Sequence, residues 1–290
     1  MEGCMLCPRR CGADRSRGTG YCGVGERIMA ARAALHFWEE PCISGQEGSG
    51  TIFFSGCTLG CVFCQNREIS HGGKGIPLTP ERLAAIFREL EAKGANNINL
   101  VTPTHFTEQI FRALEIYRPA LPLVMNCGGY ERVETLSRWE GKTDIYLPDL
   151  KYFDSTLSAN YSHAADYFAF ASKAILEMYR QQPKLCWKGD LLQKGLIVRH
   201  LVLPGCWKDS LRLLDFLDAN LPKEGFLLSL MSQYTPNAAC REIPALNRRL
   251  TTYEYQKVAE RAQALGFQGF AQDRRSAKEE YTPPFDFEGL

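Results

Sequence analysis

The chain has 290 residues, 45% of them hydrophobic, enough for one large core or two small ones. With 34 basic and 33 acidic residues its formal charge is +1, so bulk charge argues against a nucleic-acid polyanion or an anionic membrane surface as partner. No run of about 18 apolar residues predicts a membrane span, and the start Met1-Glu2-Gly3-Cys4 carries no apolar signal core, so a cytoplasmic protein is expected.

Residues 1–50 are rich in Cys, Gly and Arg, show little periodicity, and are read as a Cys-rich N-terminal extension. Twelve cysteines, clustered early, suggest metal ligands or redox groups in a reducing compartment. Cys4, Cys7, Cys11 and Cys22 form a set of four thiols. Four thiolates suit tetrahedral zinc or a fully ligated iron–sulfur cluster, and unliganded thiols are the third reading. Arg9, Arg10, Arg15 and Arg17 offer positive charge to such a site.

From Thr51 a short apolar run alternates with an amphipathic stretch. Strands are predicted at Thr51 to Phe54, Ile98 to Val101, Leu121 to Met125, Ile145 to Leu147, Leu196 to Leu203 and Phe226 to Met231. The intervening helices carry Leu83, Ile86, Phe87 and Leu90; Ile110, Phe111, Leu114 and Tyr117; Arg132 to Trp139; Tyr167 to Tyr179; Leu213, Phe216, Leu217 and Leu221; and Tyr255 to Leu265. Alternation of this kind implies right-handed crossovers and a parallel sheet. A closed eight-unit barrel commonly needs about 250 residues, and here roughly 220 carry six units, so an α/β fold with a partial (β/α)6 TIM-like barrel over residues 51–270 is expected. A flat doubly wound sheet is the alternative, and both put functional groups at strand C-termini. The tail, residues 271–290, is either a loosely ordered terminus or a cover for the barrel mouth through Tyr281, Phe285 and Phe287.

Directly after the first predicted strand, Cys57, Cys61 and Cys64 are spaced C-x3-C-x2-C. Three thiolates on one loop can surround a [4Fe–4S] cube and leave one iron open. An open coordination position is what lets a metal site bind substrate. A zinc knuckle completed by Cys42 or His71 is the bland alternative, but zinc loops usually use paired C-x2-C units.

This loop, with Phe63 in its aromatic position, resembles the signature of the radical S-adenosylmethionine (SAM) superfamily. The stretches Gly48 to Phe54, Asn97 to Phe106, Asp144 to Tyr152, Val198 to Gly205 and Met231 to Pro236 are similar to the uncharacterised branch of pyruvate formate-lyase activating enzyme relatives, and Cys4 to Cys11 matches a Cys-rich stretch of that branch. The resemblance implies an enzyme whose open iron chelates SAM, whose reduced cluster splits SAM to methionine and a 5′-deoxyadenosyl radical, and whose reductant is a protein such as flavodoxin or ferredoxin. It implies, as partner, a glycyl-radical enzyme activated by hydrogen abstraction from a glycine. A different peptide or small-molecule substrate is the second reading, and an iron–sulfur electron carrier the third.

The same resemblance nominates the SAM-binding residues. Where relatives have Gly-Gly-Glu, this chain has Thr102-Pro103-Thr104-His105, so Thr102 and Thr104 are candidates for the amino group, with Thr104 as a helix cap the alternative. Asn126 matches a polar position near the sulfonium, while Cys127 replaces the usual hydroxyl residue. Asp149 and Lys151, in an Asp-Leu-Lys stretch shared with activating enzymes, alternate on one face and are expected at the mouth. Arg199 is expected in the lumen, and its neighbour His200 on the opposite face as a core histidine. Gln233 and Tyr234 are weaker candidates for the adenosine pocket, and Gly72 to Gly75 is read as a turn because it lacks a phosphate-loop pattern.

Overall fold

The computed structural model describes residues 3–71, 73–271 and 282–290. Among these residues ten strands occur: β1 (Ile28–His36), β2 (Ser49–Phe54), β3 (Ile76–Leu78), β4 (Ile98–Val101), β5 (Leu123–Cys127), β6 (Ile145–Pro148), β7 (Cys186–Lys188), β8 (Leu191–Leu201), β9 (Leu227–Met231) and β10 (Gly269–Ala271). They share one sheet in the order β10-β9-β8-β6-β5-β4-β2-β1-β3, with β7 paired to β8 as a hairpin.

From β2 to β10 every neighbouring pair on the main path is parallel. Spatial order follows chain order without a reversal. A doubly wound sheet reverses at a switch point, so this order is that of a barrel wound in one sense. Among the described residues the sheet ends, β3 and β10, do not pair with each other, so the barrel is partial. Strands β2, β4, β5, β6 and β9 are buried along their whole length, as expected where helices cover one face and the lumen lies on the other. The helix Pro80–Ala92 shows how the outer layer is specified. Thr79 caps it by accepting from the Arg82 N–H, Pro80 starts it, and Leu83, Ile86, Phe87 and Leu90 are buried on one side.

The sheet reaches further back than the sequence pattern indicates. β1 lies within residues 1–50 and pairs antiparallel with β2 and β3. Its sequence, Ile-Met-Ala-Ala-Arg-Ala-Ala-Leu-His, is Ala-rich and favours helix by local propensity; pairing on both edges overrides that preference.

The expectation of a loosely ordered tail is corrected for residues 282–290. The Ala33 N–H donates to the Glu288 carbonyl (2.8 Å) and the Phe287 N–H to the Ala31 carbonyl (3.1 Å), so this segment extends the β1 edge beyond β3. Phe285 is buried against Phe53, and Arg32 pairs with Asp286 and Glu288. Tyr281 and Gly72 lie outside the described residues.

Candidate active site

β2 ends in a tight turn that delivers the three cysteines to the top of the lumen. Gly56, at φ +87°, makes the turn, and an added Cβ would sit 2.6 Å from the Cys22 carbonyl. Each sulfur of the loop accepts one hydrogen bond. Cys57 Sγ takes the Leu59 N–H (3.4 Å), Cys61 Sγ the Ser162 hydroxyl (2.9 Å) and Cys64 Sγ the Ser70 hydroxyl (3.4 Å). Burial and the neighbouring thiols push Cys61 up to about 12, with Lys151 opposing. Phe63 is buried against Tyr152 and Tyr234, which fixes the loop on the barrel rim.

Cys61, Phe63 and Cys64 open onto a cavity of about 270 Å³, whose wall also holds Asn126, Asp149, Lys151 and Arg199. These polar groups form a connected column. Lys151 Nζ donates to Asp149 (2.5 Å), and Arg199 donates from Nε to Asp149 (2.9 Å), from Nη2 to Asn126 (2.7 Å) and from Nη1 to Glu39 (3.1 Å). Burial alone would raise the Asp149 carboxyl, but Arg199 and Lys151 outweigh it and hold it below the usual range. Asp149 and Arg199 meet because their strands are adjacent and bridged at these two residues. Gly129, at φ +77°, lets the β5 turn pass under this bridge; a Cβ there would lie 2.1 Å from the Asp149 carbonyl.

Thr102 and Thr104 are not among the residues that line the cavity, although Val101 beside them is. Thr102 takes a left-handed backbone (φ +60°), and its N–H is held by the Asn126 carbonyl. Thr104 is buried facing Glu131, and the helix that follows has no side-chain cap from it. Gln233 lines the cavity, whereas Tyr234 is buried and donates to the Leu246 carbonyl. His200 is a satisfied core histidine, bonded to the Leu150 carbonyl and the Ser210 hydroxyl.

The N-terminal thiols lie behind the loop, away from the cavity. The four thiols interact electrostatically, and the sulfurs of Cys11 and Cys22 both lie beside Gly20. Among the described residues no three His, Cys, Asp or Glu side chains converge at the spacing of a single metal ion. The arginines do more than supply charge: Arg9 donates to the carbonyls of Thr58 and Leu59 in the cysteine loop and of Ser162 and His163 beside it.

Sequence reasoning missed Glu39 and Glu40, which lie between β1 and β2 and line the same cavity. Their only local signal is a Glu-Glu-Pro step in a segment without periodicity. It also missed Ser70 and Ser162, whose role exists only through contacts with distant sulfurs.

The sequence profile of the Radical SAM superfamily matches residues 51–167. The uncharacterised protein MJ0674 of Methanocaldococcus jannaschii is 30% identical over 275 residues, covering 91% of this chain and 75% of the relative. The chain belongs to the radical SAM superfamily. Solved structures share the fold: a radical SAM methyltransferase from Sphaerobacter thermophilus superposes with a TM-score of 0.52 at 15% identity, over 77% of this chain and 66% of that one. SuiB from Streptococcus suis, solved bound to the precursor peptide SuiA, gives 0.51 at 11% identity over 76% of this chain, which spans about half (48%) of SuiB.

Membership in the radical SAM superfamily implies a [4Fe–4S] cluster and SAM, and the site fits both. Three hydrogen-bonded sulfurs on one loop supply the ligands, and a cube holds its thiolates farther apart than one ion does. Burial opposes the Lys151 charge, but Asp149 and Cys61 outweigh it, so a charged ammonium lines the cavity beside the loop and suits an anionic carboxylate. Among the described residues no helix is long and apolar enough to cross a membrane.

Proposed function

We propose that this radical SAM enzyme takes a hydrogen atom from a small polar substrate held in the lumen. When bound, the cluster supplies the electron that splits SAM into methionine and a 5′-deoxyadenosyl radical. The observation that carries the reading is the buried column Lys151–Asp149–Arg199–Glu39 running from the cysteine loop into the lumen. Cys57, Cys61 and Cys64 hold the cluster, Lys151 meets the SAM carboxylate, and Asp149 and Asn126 face its cationic part. Phe63, Tyr152 and Tyr234 keep the loop dry, limiting side reactions with water.

The test is anaerobic reconstitution with SAM and a reductant, flavodoxin or ferredoxin among them. The expected product is 5′-deoxyadenosine, absent in a Cys61→Ser variant that also loses the visible absorbance of the cluster. A reconstituted wild type that yields none would refute the reading.

A second reading is activation of a glycyl-radical enzyme. It is favoured by the Asp149-Leu150-Lys151 stretch, which is shared with activating enzymes. Its test is a glycyl-radical EPR signal on a co-purified partner. The same proposal gives Cys4, Cys7, Cys11 and Cys22 a structural zinc or an auxiliary iron–sulfur cluster, supported by the four-thiol pattern and the electrostatic coupling among these residues. Metal analysis of a Cys61→Ser variant, which retains only that set, separates zinc from iron.

A further inference from the structure

The cysteine loop and the Glu39-Glu40 pair approach the cavity from opposite ends of β2. The loop follows Phe54, whereas the acidic pair follows His36, which is in register with Ser49. Six strand residues separate these ends by roughly 17 Å. A molecule gripping an iron at the loop therefore does not put the same group on Glu40.

The floor of the lumen is short of donors. Arg199 serves one oxygen of Glu39, and Asn99 and Asn126 serve the other (both 3.2 Å). Glu40 is 8% exposed and on the cavity wall, with the Ser229 hydroxyl near its carboxylate, yet its Oε2 is buried without a hydrogen-bond partner. Ionised, that oxygen is an acceptor. A buried acceptor left without a donor is costly, so a ligand bringing N–H donors gains at this place. The wall carries the carboxyls of Glu39, Glu40 and Asp149 against Arg199 and Lys151, and burial raises Glu39 and Glu40 despite the opposing charge of Arg199. A cation seated beside them would favour their ionised form, whereas an anion or a neutral hydroxyl would not.

We propose that the lumen floor is the substrate subsite and that Glu40, seated beside Glu39, binds a cationic nitrogen group, an ammonium or guanidinium, of a small-molecule substrate. This rests on the reading of the protein as a radical SAM enzyme with its substrate in the lumen. The cation anchors one end of the substrate at the floor and leaves the other end toward the cysteine loop.

The experiment uses the reconstituted protein with SAM and reads thermal stabilisation. The probes are butylammonium and butylguanidinium, against butyramide and butyrate at equal ionic strength. The expected result is saturable stabilisation by the cations only, with apparent affinity at least tenfold weaker in Glu40→Gln. Equal response to butyramide, no response to either cation, or an unchanged Glu40→Gln titration would overturn the proposal. The selectivity of wild type for cation over amide decides the matter if the variant does not fold. Formation of 5′-deoxyadenosine by wild type is measured separately: if it fails while cation selectivity holds, the enzymatic reading falls and the subsite stands.

Discussion

The backbone N–H of Cys57 donates to the carbonyl of Cys22 at 3.2 Å. One bond thus links the last of the four N-terminal thiols to the first of the three loop cysteines, and the two sets are held as one rigid unit. Gly56 permits this approach, with φ +87° and no side chain against the Cys22 carbonyl. Gly56→Ala places a Cβ at 2.6 Å from that oxygen. The left-handed backbone alone costs about 1–2 kcal/mol for a residue with a Cβ, and the clash adds to it. Chemical denaturation should show the loss together with lower iron content after reconstitution; a variant with wild-type values of both would contradict the linkage.

Arg9 bridges the same two regions by donating to four carbonyls. Charge-assisted bonds of this kind contribute about 1.5–3 kcal/mol each when well buried, less where solvent competes. Arg9→Ala is expected to destabilise by about 2–3 kcal/mol overall. Arg9→Lys is expected to recover little, since an ammonium cannot span a fork of acceptors. Urea titration of both variants checks the ranking.

Arg199 neutralises two buried carboxylates, Asp149 and Glu39. Removing it leaves Glu39 without a cationic partner and Asp149 with Lys151 alone, and breaking a buried pair in this way costs about 3–5 kcal/mol. Arg199→Ala should fall in that range by denaturation, and its SAM binding should weaken because Asp149 loses its anchor. A loss below 1 kcal/mol would show that the column is dispensable.

The pH dependence of stability carries a signature of His200. Burial lowers its pKa to about 4, with the Leu150 carbonyl opposing, while the unfolded imidazole titrates at 6.5. Between these values the unfolded chain binds the extra proton, so the group's contribution is complete above 6.5 and is lost as pH falls toward 4. The shift corresponds to on the order of 3 kcal/mol. The stability difference between wild type and His200→Gln should therefore shrink on acidification from pH 7 to 4, and a pH-independent difference would argue against a neutral buried ring.

The parallel strands and the outer helices were legible because each is specified locally. β2, β4, β5, β6 and β9 are apolar on both faces, and helices such as Pro80–Ala92 repeat their buried residues at three and four. The cysteine spacing marked the chemistry, and Asn126, Asp149, Lys151 and Arg199 were nominated by resemblance and meet at one cavity. What escaped depends on contacts between distant segments. β1 has the composition of a helix and becomes a strand only between β2 and β3. Glu39 gains meaning from Arg199, 160 residues away, and Ser162 from Cys61, 101 residues away. Nothing in the strand pattern signals the left-handed step at Thr102 that follows β4.

The docking of residues 282–290 has a practical reach. Phe285 packs on Phe53, whose strand ends three residues before the cysteine loop begins, and Thr282 and Pro283 belong to the cavity wall. Residues 282–290 are thus a building block of the cavity's seam. Truncation before Thr282 would unseat Phe285 from Phe53 and open the cavity wall before it disturbed the parallel strands.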